Sequence, residues 1–346
     1  MSFIARTIQA IERLPIPDQI TLAGIDYLVG RTDRALRSDP QPASAFARAM
    51  EAFPIAINTE DANAQHYEIP AEFFALILGP RRKYSCCLYN NAESTLAEAE
   101  ERALSATAIH ADLHDGQRVL ELGCGWGSLS LWMAQHYPRS RITAVSNSVS
   151  QRAYIESQAE QRGIVNLTVE TADMNDFATD QTFDRVVSVE MFEHMSNWRG
   201  LLARVRGWLA PGGRLFLHVF THETTPYRFD HHDQSDWIAQ HFFTGGLMPS
   251  HDLIKQFPDL FQCEQSWRWS GEHYRRTAVD WLANFDRNRA AIDRILVEVY
   301  GPDAVLWRRR WRLFFLATAG MFGHDQGGNW GVGHYLLKAR EGRLLF

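Results

Sequence analysis

In the middle of the chain, short apolar runs alternate with stretches of helical spacing. The runs at 119–122, 141–145, 167–170, 183–189 and 213–218 are each bounded by polar, glycine or proline positions and read as strands, with helical patterns between them. Such alternation predicts an α/β fold, a mostly parallel sheet with helices on both faces. Residues 1 to about 110 read mostly as helix, with breaks around Pro15 to Pro17 and Asp39 to Pro42. From Thr221 to about Asn329 the chain is again helix-rich and aromatic, and a strand-like run, Val-Gly-His-Tyr-Leu-Leu-Lys, closes it within 331–340. Three segments follow: a helical cap or lid (1–110), a ligand-binding α/β core (111–220), and a helical pocket insertion with the closing strands of the sheet (221–346). No internal repeat is evident.

The first strand leads into Glu121-Leu-Gly123-Cys-Gly125-Trp-Gly127 and then a helical pattern from Ser128. Glycine lets this turn take positive φ and approach a ligand closely, and the helix behind it aims unpaired N–H groups at the occupant. A dinucleotide site requires a third small position and an acidic residue about twenty places on. Here Ser128 and Asn147 occupy those places. Asn147 and Gln151 offer amide hydrogen bonds to a ribose instead. After the third strand comes Ala172-Asp173-Met174, suited to an adenine amino group and ring; the alternative for Asp173 is a helix or turn cap. The spacing E-x-G-x-G-x-G resembles the first motif of class I S-adenosylmethionine-dependent methyltransferases. That resemblance implies S-adenosyl-L-methionine as cofactor, S-adenosyl-L-homocysteine as product, and glycine backbone against the methionine part.

Composition narrows the field. A net charge of −6, from 41 acidic and 35 basic residues, gives no overall attraction for nucleic acid or an anionic membrane. The N-terminus is interrupted by charge every few residues, unlike a signal peptide, and no apolar run has membrane length. Cys86, Cys87, Cys124 and Cys263 form neither a metal spacing nor a disulfide framework, so a reducing, cytoplasmic setting is expected.

The fourth strand runs into Val189-Glu190-Met-Phe-Glu193-His194-Met195, placing two carboxylates and an imidazole at the ligand-binding end of the sheet. Methyl transfer to an amine requires a free lone pair, whereas an alkylamine is mostly protonated near neutrality. Glu190 and Glu193 would attract the cation and accept its proton, with at least one carboxylate pKa raised by crowding; His194 would relay the proton.

Five segments occur in the order seen in the cyclopropane fatty acyl phospholipid synthase superfamily. They are Tyr84-Ser-Cys-Cys-Leu-Tyr89, the glycine motif, Ala144-Val-Ser-Asn-Ser-Val-Ser-Gln151, the Glu190 segment, and Trp269-Ser-Gly-Glu-His-Tyr-Arg-Arg-Thr277. The chain most resembles the coclaurine N-methyltransferase branch, from about His66 to Arg340. The resemblance implies a seven-stranded sheet and catalysis by Glu190, Glu193 and His194. It also implies contact of Tyr84 and Ser85 with the cofactor, and Phe322 and Trp330 in the substrate pocket, where ordinary packing is an equal alternative for each. The expected partner is a small amine, cyclic or aromatic; no metal or nucleic acid is expected, and a homodimer is left open.

The rival is the lipid-cyclising branch, which holds a bicarbonate with residues matching Cys86, Glu193 and His218; on the amine reading Cys86 and His218 belong to the wall of the substrate pocket. It usually carries glycine where Glu190 stands, and a tyrosine pair where this chain has Leu313-Phe314. Both departures favour an amine. Trp307-Arg-Arg-Arg-Trp-Arg312 would suit a lipid surface but reads better as a helix face with paired or solvated arginines. His231-His232-Asp233 lacks a third ligand at metal spacing and reads as a solvated loop.

Overall fold

The apolar runs become strands because both sides of the sheet are covered: Val119, Leu120, Leu122, Val186 and Val187 are all buried. The computed structural model describes residues 12–14, 16–57, 69–234 and 236–340. Residues 1–11 of the expected helical cap, the break at Pro15, and His66, where the resemblance begins, lie outside them.

Among the described residues four helices precede the sheet: α1 (Asp18–Ser38), α2 (Ala43–Met50), α3 (Ala71–Ile77) and α4 (Leu96–His110). The last begins at a reciprocal cap, in which Thr95 accepts from the Glu98 amide while the Glu98 side chain accepts from the Thr95 amide. The core then alternates β1 (Arg118–Leu122), α5 (Ser128–His136), β2 (Arg141–Ser146), α6 (Val149–Gln161), β3 (Leu167–Thr171), β4 (Phe183–Val189), α7 (Trp198–Trp208) and β5 (Leu209–His222). Beyond it come a two-strand ribbon, β6 (Tyr227–Arg228) and β7 (Leu247–Met248), with α8 (Trp237–His241) between them. The chain continues with β8 (Phe261–Ser270), α9 (Gly271–Arg287), α10 (Arg289–Tyr300), α11 (Ala304–Gly323) and β9 (Trp330–Ala339).

The sheet has seven strands in the order β3-β2-β1-β4-β5-β9-β8. Strands β1 to β5 pair in parallel, and β9 runs antiparallel between β5 and β8. This is the class I methyltransferase architecture. Three strands depart from the expectation of a helical 221–329 region: the short β6 and β7 of the ribbon, and β8, which forms an edge of the sheet. Its outer positions, Gln262, Glu264, Gln265 and Ser266, are polar and exposed, and a bulge between Cys263 and Gln265 breaks the alternation that would have revealed it.

Three of the four arginines in the basic stretch on α11 pair with carboxylates within the fold, and the fourth, Arg309, donates to the Arg13 carbonyl. Arg308 pairs with Asp293 at 3.0 Å, Arg310 with Glu12 at 3.1 Å, and Arg312 with both Asp18 and Asp286. Trp307 stacks on Tyr300 at 4.4 Å, so this helix face is tied to α1 and α10. His231 and His232 contact each other in an exposed turn, and among the described residues no group of three metal-capable side chains forms. No described helix is long and apolar enough to cross a membrane.

Candidate active site

At the carboxyl ends of β1, β2 and β4 lies a cavity of about 240 Å³. The glycine turn forms its floor. Gly123, Gly125 and Gly127 all have positive φ, at 77°, 52° and 74°. Their surroundings differ. A Cβ on Gly123 would lie 2.5 Å from Met191, and one on Gly127 would lie 2.6 Å from Ile155, so these glycines permit close packing. Gly125 has nothing within 4 Å of that position and faces open space, where a side chain would fill the cradle. Gly123 and Gly125 line the cavity, whereas Gly127 acts behind it as the N-cap of α5.

Glu121 also lines the cavity although only 2% exposed. Its carboxylate accepts the Ser130 hydroxyl at 2.5 Å, and burial pushes its pKa up to about 8. Gln151 accepts the Ser146 hydroxyl through Oε1 at 2.7 Å, leaving its buried Nε2 without a partner among the described residues. Asn147, Asp173 and Met174 complete this end of the cavity. Asp173 accepts the Asn175 amide at 2.7 Å in a turn and also borders the cavity. The open cradle, the orphaned amide donor and the carboxyl lacking a basic partner fit a cationic, hydrogen-bond-accepting cofactor such as S-adenosylmethionine. Tyr84 and Ser85 approach from the segment before α4.

Opposite the glycine turn stands Glu190, whose φ of 48° lies in the left-handed region. That conformation disfavours a side chain by about 1 kcal/mol, which accounts for a glycine being suited to the position. Three hydrogen bonds hold Glu190 there: Oε1 accepts the Cys86 amide at 2.9 Å and is hydrogen-bonded to His218 Nε2 at 3.1 Å, with the donor set by the imidazole tautomer, and Oε2 accepts the Tyr274 hydroxyl at 2.7 Å. Burial raises its pKa, opposed by the Lys83 ammonium, the Cys86 and Tyr274 donors and the neighbouring His194. His194 lines the cavity beside it, with its ring edge-on to Phe243 at 4.6 Å. Glu193 does not reach the lining. It is fully buried, accepts the Phe220 amide at 2.6 Å, and leaves Oε2 without a partner among the described residues; burial raises its pKa well above the carboxylate range, and the neighbouring Glu190 adds to the shift.

The four substrate-pocket candidates separate. Phe322 lines the cavity, stacked on Tyr274 at 4.2 Å. Cys86 and His218 lie behind the wall, touching Glu190 from below, and the Cys86 thiol turns to the Cys87 carbonyl. Trp330 is also buried behind the wall and donates to the Tyr227 hydroxyl at 3.2 Å, because β9 points it away from the cavity. Two contributors escaped the sequence reading. Lys83 is buried, donating to Ser85 Oγ at 2.5 Å and the Cys86 carbonyl at 2.7 Å; its place directly before Tyr84 was the available signal. Tyr274 stands inside the Trp269–Thr277 motif, but nothing in that motif distinguishes it from a packing aromatic.

Comparison with known proteins agrees with this geometry. A family model for mycolic acid cyclopropane synthetases matches residues 56–327. An (S)-coclaurine N-methyltransferase of Thalictrum flavum subsp. glaucum is 36% identical over 300 residues, covering 85% of this chain and 83% of the relative. The cyclopropane-fatty-acyl-phospholipid synthase of Escherichia coli is 31% identical over 223 residues, 64% of this chain and 55% of that enzyme. A crystal structure of coclaurine N-methyltransferase with N-methylheliamine and S-adenosylhomocysteine superposes with a TM-score of 0.91 at 33% identity, covering 97% of this chain and 100% of the other. The chain therefore belongs to the mycolic acid cyclopropane synthetase family and is an S-adenosylmethionine-dependent methyltransferase.

Proposed function

We propose that the chain methylates the nitrogen of a small cyclic or aromatic amine. The observation that carries this reading is Glu190, a buried carboxylate held by three hydrogen bonds at the cavity edge facing the glycine turn. The cofactor supplies an electrophilic methyl group on sulfur. Glu190 draws in the cationic amine and removes one N–H proton; its raised pKa keeps the carboxyl close enough to the amine in basicity for that transfer. His194, in the cavity lining beside Glu190, is the second polar group facing the amine. Phe220, Phe243, Phe322 and Tyr274 give an aromatic surround suited to a flat cation and limit water around the nitrogen. Glu193 is a positioning group that holds the Phe220 backbone.

The lipid-cyclising reading has less support. Cys86 and His218, at positions that hold bicarbonate in that branch, here both hydrogen-bond to the Glu190 carboxylate, so the side chain takes up the partners an anion would need. Residues 1–110 are read as a cap, 111–220 as the cofactor-binding core and 221–346 as the pocket segment, because all three contribute to the cavity wall. The four cysteines are free thiols, which favours a reducing compartment such as the cytoplasm.

The test is transfer of labelled methyl groups to an amine panel and to phospholipid vesicles. Label is expected in amines and absent from the lipid extract; the reverse would replace the proposal with the lipid reading. Glu190→Gln should lower single-turnover methyl transfer about a hundredfold or more with cofactor affinity unchanged. Undiminished transfer in that variant would remove Glu190 from the chemistry.

A further inference from the structure

A row of histidines crosses the sheet from Glu190 to the surface. His218 on β5 and His334 on β9 are direct partners in antiparallel register, as are His334 and Trp267 on β8, so the three side chains lie on one face. The last residue of α4, His110, covers that row, its ring stacked on Trp267 at 3.9 Å and 4°. The hydrogen bonds are continuous: His218 Nε2 to Glu190 at 3.1 Å, His218 Nδ1 to His334 Nε2 at 2.9 Å, and His334 Nδ1 to His110 Nδ1 at 2.7 Å. His218 and His334 are fully buried, whereas His110 is partly exposed.

Resting on the proposed amine methylation, we infer that His218, His334 and His110 form a proton relay joining the buried base Glu190 to solvent while the cavity is filled. All three pKa values are lowered by burial, so the rings are neutral, as a hopping chain requires. The charged and titratable groups around the row are Glu190 at its inner end, with Glu193, His194 and Cys86 beside it, Lys83, which disfavours a cationic His218 or His334, and Tyr274 on the far oxygen of Glu190. Trp269 and Phe216 wall His334 at 4.2 and 5.1 Å. Packing alone would be met by apolar side chains here; a file of polar rings ending at the surface is not required for it.

The relay has two states. With Glu190 ionised, each ring donates inward: His218 Nε2–H to Glu190, His334 Nε2–H to His218, and His110 Nδ1–H to His334. With Glu190 protonated, each donates outward and His110 Nε2–H faces water. Binding of a cationic amine drives the Glu190 proton out along the row. The carboxylate then removes one proton from the ammonium, and the freed lone pair forms the N–C bond as the C–S bond breaks, its electrons remaining on sulfur. After product leaves, the proton on Glu190 passes to cavity water and the rings reset by taking one proton from solvent. Each turnover thus releases one proton.

The test uses the whole enzyme. Nitrogen-15 histidine spectra taken across the whole pH range in which the enzyme stays folded should show His218 and His334 exchanging tautomers together as Glu190, its pKa raised by burial, ionises. His110→Phe, which keeps the stack on Trp267, should lower kcat roughly tenfold or more with KM unchanged. It should also raise the solvent isotope effect and recover rate with added imidazole. His334→Gln should lose the same rate without rescue, since no added base reaches its buried position. Fixed tautomers across the pH range, or a His110→Phe enzyme with wild-type kcat and isotope effect, would overturn the relay. Wild-type enzyme that exchanges tautomers yet methylates no amine would overturn the proposed activity and leave the relay standing.

Discussion

Glu121 should make cofactor binding a proton-releasing event. Its carboxyl is 2% exposed, and its pKa is pushed up to about 8 because burial opposes the charge and only the Ser130 hydroxyl offsets it. Near pH 7 the free enzyme therefore carries this side chain mainly protonated, by about ten to one. S-adenosylmethionine brings positive charge, which favours the ionised form, so binding expels the proton. Apparent affinity should rise about tenfold per pH unit, or ~1.4 kcal/mol, until the pH passes the free-enzyme pKa. Calorimetry in two buffers of different ionisation enthalpy counts the protons released. Glu121→Gln keeps an acceptor for Ser130 and should abolish both the release and the slope. Titration of the cofactor's own amino group is common to the two proteins and cancels in their difference. The sign for stability is also fixed: a carboxyl whose folded pKa is raised loses stability as pH climbs from the unfolded to the folded value. The variant should therefore gain more in thermal midpoint at pH 8 than at pH 5. Equal pH slopes in wild type and variant, or no proton release near pH 7, would refute the reasoning.

Two further tests concern the glycine turn and the buried histidines. Gly127→Ala meets Ile155 at 2.6 Å with φ at 74° and should destabilise by about 2 kcal/mol in urea melts. Gly125→Ala meets nothing and should destabilise by only about 1 kcal/mol while weakening cofactor binding more than tenfold, so stability and affinity should part between the two. His218 and His334 have pKa values well below the unfolded value of about 6.5 because burial disfavours the cation. Their contribution is complete above that value and lost as pH falls below it, so urea midpoints should drop between about pH 7 and pH 5. The double variant His218→Gln/His334→Gln should flatten this drop.

The parallel half of the sheet was legible because its strands are buried on both faces and leave unbroken apolar runs such as Val186-Val187. Edge strand β8 was not, since a strand with one wet side and a bulge keeps neither an apolar run nor a strict alternation. Motif order brought Glu190, His194 and the glycine turn to one cavity, but motif order says nothing of side-chain direction. Cys86 and Trp330 share motifs with lining residues yet point behind the wall. The contact between His110 and His334 joins α4 to β9, positions 224 residues apart, and the strand-like run that holds His334 carries no sign of a partner so distant in sequence. The packing of α4 against β9 produces it, just as the register of β5 against β9 produces the pair of His218 and His334.

Gly123 has one more consequence. Its bare α-carbon rests on the Met191 side chain, so the turn that receives the cofactor and the turn that presents Glu190 are wedged together without slack. The spacing between donor and base is thus built into a contact that the substrate never touches. The aromatic wall at Phe243 and Phe322 sits on other elements, outside that contact. A library confined to this wall could change the accepted amine while the reaction geometry is inherited intact, which makes this fold a promising starting point for engineering new N-methylations.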